Sequence, residues 1–312
     1  MKHLESAFDG QNKGWKLPLT ILTTFIGALI FAFPFGLIHL IAEMTTTKST
    51  LEQIMSNNNT LIFTLLLSYV VLFFAFILSV RMLYNRKLPK IINGTQKIRW
   101  KRIGMGILVW GIIMIISISI GILIFPDDYT FQFKPTQFLI LLALVILMMP
   151  FQTSAEELFF RGYLAQVVGG WTKNRWVVLL VTSVLFGALH YSNPEVKEYG
   201  ALIMLPQYII TGVLFGLIAI LDDGIELPLG IHFINNALGT LFVTFDASAI
   251  KSDALFKAIN INPQGALIET LITSALAFFI LWRVYKWDFR ILNKKITIPV
   301  AIEKVTTTEE AL

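Results

Sequence analysis

Residues 154–166 read SAEELFFRGYLAQ, and they place Glu156, Glu157 and Arg161 inside a chain otherwise made of apolar runs. The preceding thirteen residues, FLILLALVILMMP (138–150), hold no charge. An ionisable group at bilayer depth costs several kcal/mol unless it is paired or wetted, which makes this stretch a functional candidate. Two further apolar runs each carry a histidine. VVLLVTSVLFGALH (177–190) ends on His190, and IELPLGIHFINNALG (225–239) holds His232, Asn235 and Asn236.

The rest of the chain agrees with a membrane setting. Hydrophobic residues make up 55% and charged residues 14% of 312, against about 25% charged in soluble domains. Eight apolar stretches can be marked, at 17–42, 60–84, 103–125, 136–168, 176–192, 203–221, 226–245 and 265–285. The expected fold is therefore all-α, a polytopic membrane bundle of about eight transmembrane helices. The boundaries drawn from these stretches are a short N-terminal segment (1–16), N-terminal helices (17–135), a core holding the polar blocks (136–245), a last helix with its loop (246–290) and a tail (291–312).

Residues 1–16 lack a short apolar core with a small-residue cleavage site, so no removable signal peptide is expected. The closing AIEKVTTTEEAL (301–312) reads as a frayed tail. Twenty of the 25 Lys and Arg residues fall in segments 1–16, 81–102, 161–175 and 283–304. This bias predicts a cell-membrane protein with both termini cytoplasmic. Those basic loops face anionic lipid, so the net charge of +5 does not point to nucleic acid. With no cysteine in the chain, disulfides, thiolate metal sites and a cysteine nucleophile are excluded.

Local rules give Glu157 a structural account. Pro150 is expected to break or kink the helix, with Thr153 and Ser154 capping a new segment. Ser154 and Glu157 have capping-box spacing, and Glu157 and Arg161 sit four apart, as an ion pair would. Glu156 points about 100° away around the helix and has no such account. Counted back from the turn near Gly170, Glu156 and His190 lie at roughly 24 and 27 Å along adjacent helices, a similar depth. His232 and Asn236 share one helix face.

This inventory suits hydrolysis. A carboxylate and an imidazole can deprotonate a water, while a second histidine and an asparagine can hold an oxyanion. The set Glu156, His190 and His232 could equally ligate Zn2+ and activate a bound water. Polar residues concentrate in the core and not in both halves, which argues against a transporter. Gly212 and Gly216 in GVLFG have the spacing of close helix packing.

Three blocks carry a resemblance: EELFFR (Glu156, Glu157, Arg161), FGALH (Phe186, His190) and HFINN (His232, Asn236). In this order they resemble the CPBP family, which comprises CAAX proteases and bacteriocin-processing (Abi) proteins. The resemblance covers roughly residues 136–245 and implies an eight-helix intramembrane endopeptidase acting on a protein or peptide substrate at the membrane. It implies that Glu156 activates water with His190, that Glu157, Arg161 and Phe186 support the site, and that His232 and Asn236 bind the oxyanion. It further implies a glutamate-dependent reaction that needs no cofactor, although the family has also been read as zinc enzymes. The alternative within the resemblance is a non-catalytic self-immunity or interaction protein on the same scaffold.

Overall fold

The computed structural model describes residues 2–8, 15–45, 50 and 57–297, with the side chains of 34–43 and 45 left aside. The expected tail at 301–312 lies outside the described residues. The helices in chain order are α1 (Lys16–Thr45), α2 (Asn58–Tyr84), α3 (Leu88–Asn93) and α4 (Trp100–Ile124). They continue as α5 (Pro135–Glu157), a π-helical stretch (Leu158–Leu164), α6 (Ala165–Thr172) and α7 (Arg175–Leu189). The set closes with α8 (Pro194–Tyr199), α9 (Ala201–Leu221), α10 (Glu226–Phe242) and α11 (Pro263–Tyr285).

The protein is a polytopic helical bundle. Among the described residues, six helical stretches are long and apolar enough to cross a membrane. The other two expected spans form helices of 15 residues in α7 and 17 in α10. At about 1.5 Å per residue these are roughly 22 and 25 Å long, short of a ~30 Å hydrocarbon core. Only 17% of the α11 stretch is buried within the protein, against 39% of α9. Hence α9 is the central post, and α11 presents Ile268, Ile272 and Phe279 outward, as a lipid-facing helix must.

The expected break at Pro150 does not occur. Helix α5 runs through Pro150 without interruption and passes into the π stretch and α6, so that Pro135–Thr172 is one rod of 38 residues. Loss of one amide donor at proline does not end a helix whose neighbours hold it by packing on both sides. Ser154 therefore lies mid-helix, and the predicted capping box is absent. The irregularity falls eight residues later, in the π stretch.

Two close approaches set the core. A Cβ on Gly230 would stand 2.1 Å from the Ile103 carbonyl oxygen, so α10 and α4 touch backbone to backbone. A Cβ on Gly212 would stand 3.0 Å from the Ser183 carbonyl oxygen, which draws α9 onto α7 and makes the GVLFG glycines packing positions.

At one end of the bundle, the N-terminal segment, the 85–99 connection, the turn after α9 and the chain after α11 meet. The backbone N–H groups of Lys2 and His3 donate to Asp223 at 2.8–2.9 Å. Arg99 pairs with Glu226 at 2.6 Å and with Asp222 at 3.2 Å, and Arg102 reaches Asp222 at 3.0 Å. Burial draws the Asp222 carboxyl above the ordinary range, against the pull of Arg99, Trp287 and Arg102. The far end carries a small sheet in the order β1–β3–β2, formed by Tyr129–Phe131, Phe256–Ala258 and Val243–Thr244. Strand β3 pairs antiparallel with β1 and parallel with β2.

Candidate functional site

Glu157, the last residue of α5, is fully buried. Its Oε1 accepts from Arg161 Nη1 at 2.8 Å and from His232 Nδ1 at 2.9 Å. The predicted ion pair therefore exists, but it also grips an imidazole from α10. A buried pair of this kind costs several kcal/mol of desolvation per ion, which only good geometry recovers. Arg161 is held accordingly: Nη2 donates to the Gly212 carbonyl at 3.3 Å, and its guanidinium faces the Phe186 ring at 4.2 Å. The close α9 approach at Gly212 brings that carbonyl within reach.

The π stretch adds a further anchor. At its end the Ala165 N–H bonds to the carbonyls of Phe160 and Gly162. His3 Nε2 lies 2.9 Å from the Arg161 carbonyl oxygen, which makes Nε2–H the donor, and Gln166 contacts the Nδ1 side at 3.5 Å. Burial lowers the His3 pKa, against the raising influence of Asp223 and the Arg161 carbonyl.

Glu156 faces a different environment. Its Oε1 accepts from Gln152 Nε2, one turn earlier on α5, and Tyr69 of α2 lines the same cavity beside it. Its Oε2 lies 3.7 Å from His232 Nε2. His232 thus stands between the two glutamates. With Nδ1–H committed to Glu157, it turns Nε2 toward Glu156.

A chain of amides continues from Gln152. Asn236 Nδ2 donates to Gln152 Oε1 at 3.0 Å, Asn235 Nδ2 donates to Asn236 Oδ1 at 3.0 Å, and Trp110 Nε1 donates to Asn235 Oδ1 at 3.1 Å. These bonds fix which way each amide points.

His190 is the C-cap residue of α7. Its Nδ1 lies 2.7 Å from the Phe186 carbonyl, so Nδ1 carries the proton of that bond and Nε2 is left for the cavity. Its ring stacks on Tyr208 of α9 at 4.1 Å and 21°. No direct bond joins His190 to Glu156; the imidazole beside Glu156 is His232.

Two cavities meet here. One, of about 490 Å³, is polar and lined by Glu156, His190, His232, Asn236 and, toward the far end, Phe245 and Ile250. The other, of about 450 Å³, is apolar and lies among Phe25, Leu72, Phe76, Phe159 and Leu189. Glu156, His190, Tyr69 and Asn193 line both.

The structure thus gathers Glu156, Phe186, His190, His232 and Asn236 on one cavity, with Glu157 and Arg161 packed behind them. Sequence reasoning missed Gln152, Tyr69, Asn235, Tyr208 and Glu195. Gln152 and Asn235 carried a signal, since one lies a turn before Glu156 and the other beside Asn236. Tyr69 and Tyr208 carried none, because an aromatic in an apolar helix reads as core or lipid face.

As for zinc, among the described residues no three His, Asp or Glu side chains gather at metal-ligand spacing. His232 Nδ1 is held by Glu157 and His190 Nδ1 by a carbonyl, which leaves both Nε2 atoms to the cavity. Glu156, His190 and His232 line that cavity but, as placed, do not gather as a ligand set.

A family model for type II CAAX prenyl endopeptidases, Rce1-like, matches residues 135–238. That span starts with α5 and contains every residue of the three blocks. An uncharacterised protein of Bacillus subtilis (strain 168), YyaK, is 35% identical over 224 residues, covering 70% of this chain and 75% of its own. The chain belongs to the Rce1-like family. At the level of the family its activity is that of a CAAX-type membrane protease, with a peptide or protein substrate at the membrane. No solved structure matches.

Proposed function

We propose that this Rce1-like protein is a glutamate-dependent intramembrane endopeptidase that works without a metal. The observation carrying this reading is the junction of the cavities: Glu156 and His190 are common to a polar chamber and an apolar one. A substrate with an apolar flank in one chamber and an extended peptide in the other presents its scissile carbonyl between them.

Glu156, oriented by Gln152, takes a proton from a water that His190 Nε2 also holds. The water oxygen attacks the carbonyl carbon, and the tetrahedral oxyanion receives N–H donors from His232 Nε2 and Asn236 Nδ2. His232 makes this donation as an imidazolium paired with Glu157, while Glu156, protonated at this stage, no longer competes for it. The proton held on Glu156 then passes to the departing amide nitrogen as the C–N bond breaks, giving a carboxylic acid and an amine. Glu157 and Arg161 take no part in the proton transfers; they aim His232.

The test is cleavage of a quenched fluorescent peptide library by purified protein in detergent micelles, monitored by mass spectrometry. Glu156→Gln should lower the rate by about 10³–10⁴-fold, and EDTA or 1,10-phenanthroline should leave the wild-type rate unchanged. A Glu156→Gln rate within about tenfold of wild type sinks the glutamate assignment. Inhibition by a chelator that zinc reverses sinks the metal-free one.

The basic segments gather at the end of the bundle opposite the cavity mouth, so we place that end in the cytoplasm and the mouth on the other face. Cysteine introduced at Ser248 of this cysteine-free chain should react with a membrane-impermeant maleimide in intact cells, and cysteine at Thr95 should not. The reverse pattern inverts the orientation.

A further inference from the structure

The polar chamber holds a second carboxylate that the reaction above does not use. Glu195 belongs to α8, between His190 and the central helix α9, and is 5% exposed. Its Oε1 accepts from the Tyr208 hydroxyl and from Asn193 Nδ2 at 3.2 Å, while its Oε2 has no hydrogen-bond partner. Tyr208 is fixed in turn, because its hydroxyl accepts from Asn193 at 3.1 Å and its ring stacks on His190. A single aromatic ring thus links Glu195 to a proposed water-holding imidazole, and Tyr208 lies within electrostatic reach of both Glu195 and Glu156.

Among the described residues, two glutamates and two histidines are the ionisable acid and base groups lining the chamber beside its tyrosines, and neither Lys nor Arg lines it. The His232 imidazolium is already paired with Glu157, which leaves Glu195 no cation of its own among them. Lys197, on the same short helix, is exposed and does not line it. A carboxylate withdrawn from water with an empty acceptor site is costly until a donor arrives, and a cation is the strongest donor. In a chamber of low dielectric the same charges repel an anion.

We propose that Glu195, oriented by Tyr208 and Asn193, is a specificity-determining residue. It selects peptides carrying a lysine or arginine side chain beside the scissile bond over those carrying an acidic one. The inference rests on the endopeptidase reading above and narrows its substrate class to segments with a cationic side chain beside the cleaved bond.

The experiment uses one peptide scaffold of about ten residues, drawn from the cleavage library, with Lys, Gln or Glu placed in turn at each position flanking the cleaved bond. Wild-type protein in micelles should prefer Lys over Glu at one position by about tenfold or more in kcat/KM, mainly through KM. Glu195→Gln should shrink the Lys-over-Glu ratio to about twofold, and Glu195→Asp should keep the order of preference. Thermal unfolding of each variant separates loss of selectivity from loss of fold.

A wild-type ratio near one at every position overturns the proposal, as does a ratio that survives Glu195→Gln. If no peptide is cleaved, binding of the same labelled peptides to wild-type protein, read by fluorescence anisotropy, gives the answer. Tighter binding of the Lys peptide that Glu195→Gln abolishes supports the subsite while the protease reading fails. Equal binding of all peptides, or none, overturns the subsite.

Discussion

Glu226 and Glu156 are both carboxylates packed among helices, and they differ in how completely they are answered. Glu226, at the start of α10, has a fully buried side chain and both oxygens engaged: Oε1 with Asn93 and Arg99 Nε, Oε2 with Arg99 Nη2 at 2.6 Å. Glu156, near the end of α5, has one oxygen held by Gln152 and the other facing an imidazole at 3.7 Å across an open chamber. A carboxylate with both oxygens held by a guanidinium can only hold elements together. One left with capacity beside a cavity can accept a proton. The terminal end of the bundle is thus a clamp, and the middle is a site.

The comparison can be broken by exchanging the measurements. Glu156→Gln should cost about 10³–10⁴-fold in kcat/KM, roughly 4–5.5 kcal/mol of transition-state stabilisation. Its unfolding midpoint should stay close to wild type. Glu226→Gln should do the reverse, leaving Arg99 short of its charge partner and destabilising the protein by about 3–5 kcal/mol. Equal loss of midpoint in the two variants, measured by differential scanning fluorimetry in detergent, would erase the distinction.

Asn236→Ala tests the site side more finely. Removing one proposed oxyanion donor should lower kcat by about 10²–10³, with little change in KM. A pure KM effect would make Asn236 a substrate-binding group instead.

The smallest expected effect concerns the clamp. The pKa of His3 is lowered in the folded protein, so the unfolded chain binds the extra proton and stability rises with pH. This contribution is fully present above the unfolded value of about 6.5 and is lost as pH falls through and below it, by at most about 1.4 kcal/mol per pH unit. His3→Gln should flatten the dependence of the unfolding midpoint between about pH 7.5 and 5.5; an unchanged slope would remove His3 as its source.

Much of this was legible in the chain. Apolar length located the long helices of the bundle, though not the short α3 and α8, because lipid forces backbone hydrogen bonds to close within a segment. The scarcity of polar residues in those helices singled out Glu156, Glu157, Arg161, His190, His232 and Asn236, all of which lie at or behind one chamber. Local rules failed where they assumed a helix standing alone. Pro150 does not end α5, and Ser154 caps nothing, because neighbouring helices hold the rod on both sides. The depth argument brought Glu156 and His190 to the same chamber, but it could not show that His232 is the imidazole beside Glu156.

What the sequence alone determined is a membrane bundle and a short list of residues, since hydropathy and cost of burial act position by position. Which groups share a proton, a ring face or an ion pair was decided only by tertiary structure. Glu157 became the holder of His232 through α5 meeting α10, and Glu195 entered the wall through a tyrosine thirteen residues further on. Those contacts depend on how far each helix turns before it meets its neighbour. That rotation is set by close approaches such as Gly212 against Ser183 and Gly230 against Ile103, which no single segment encodes.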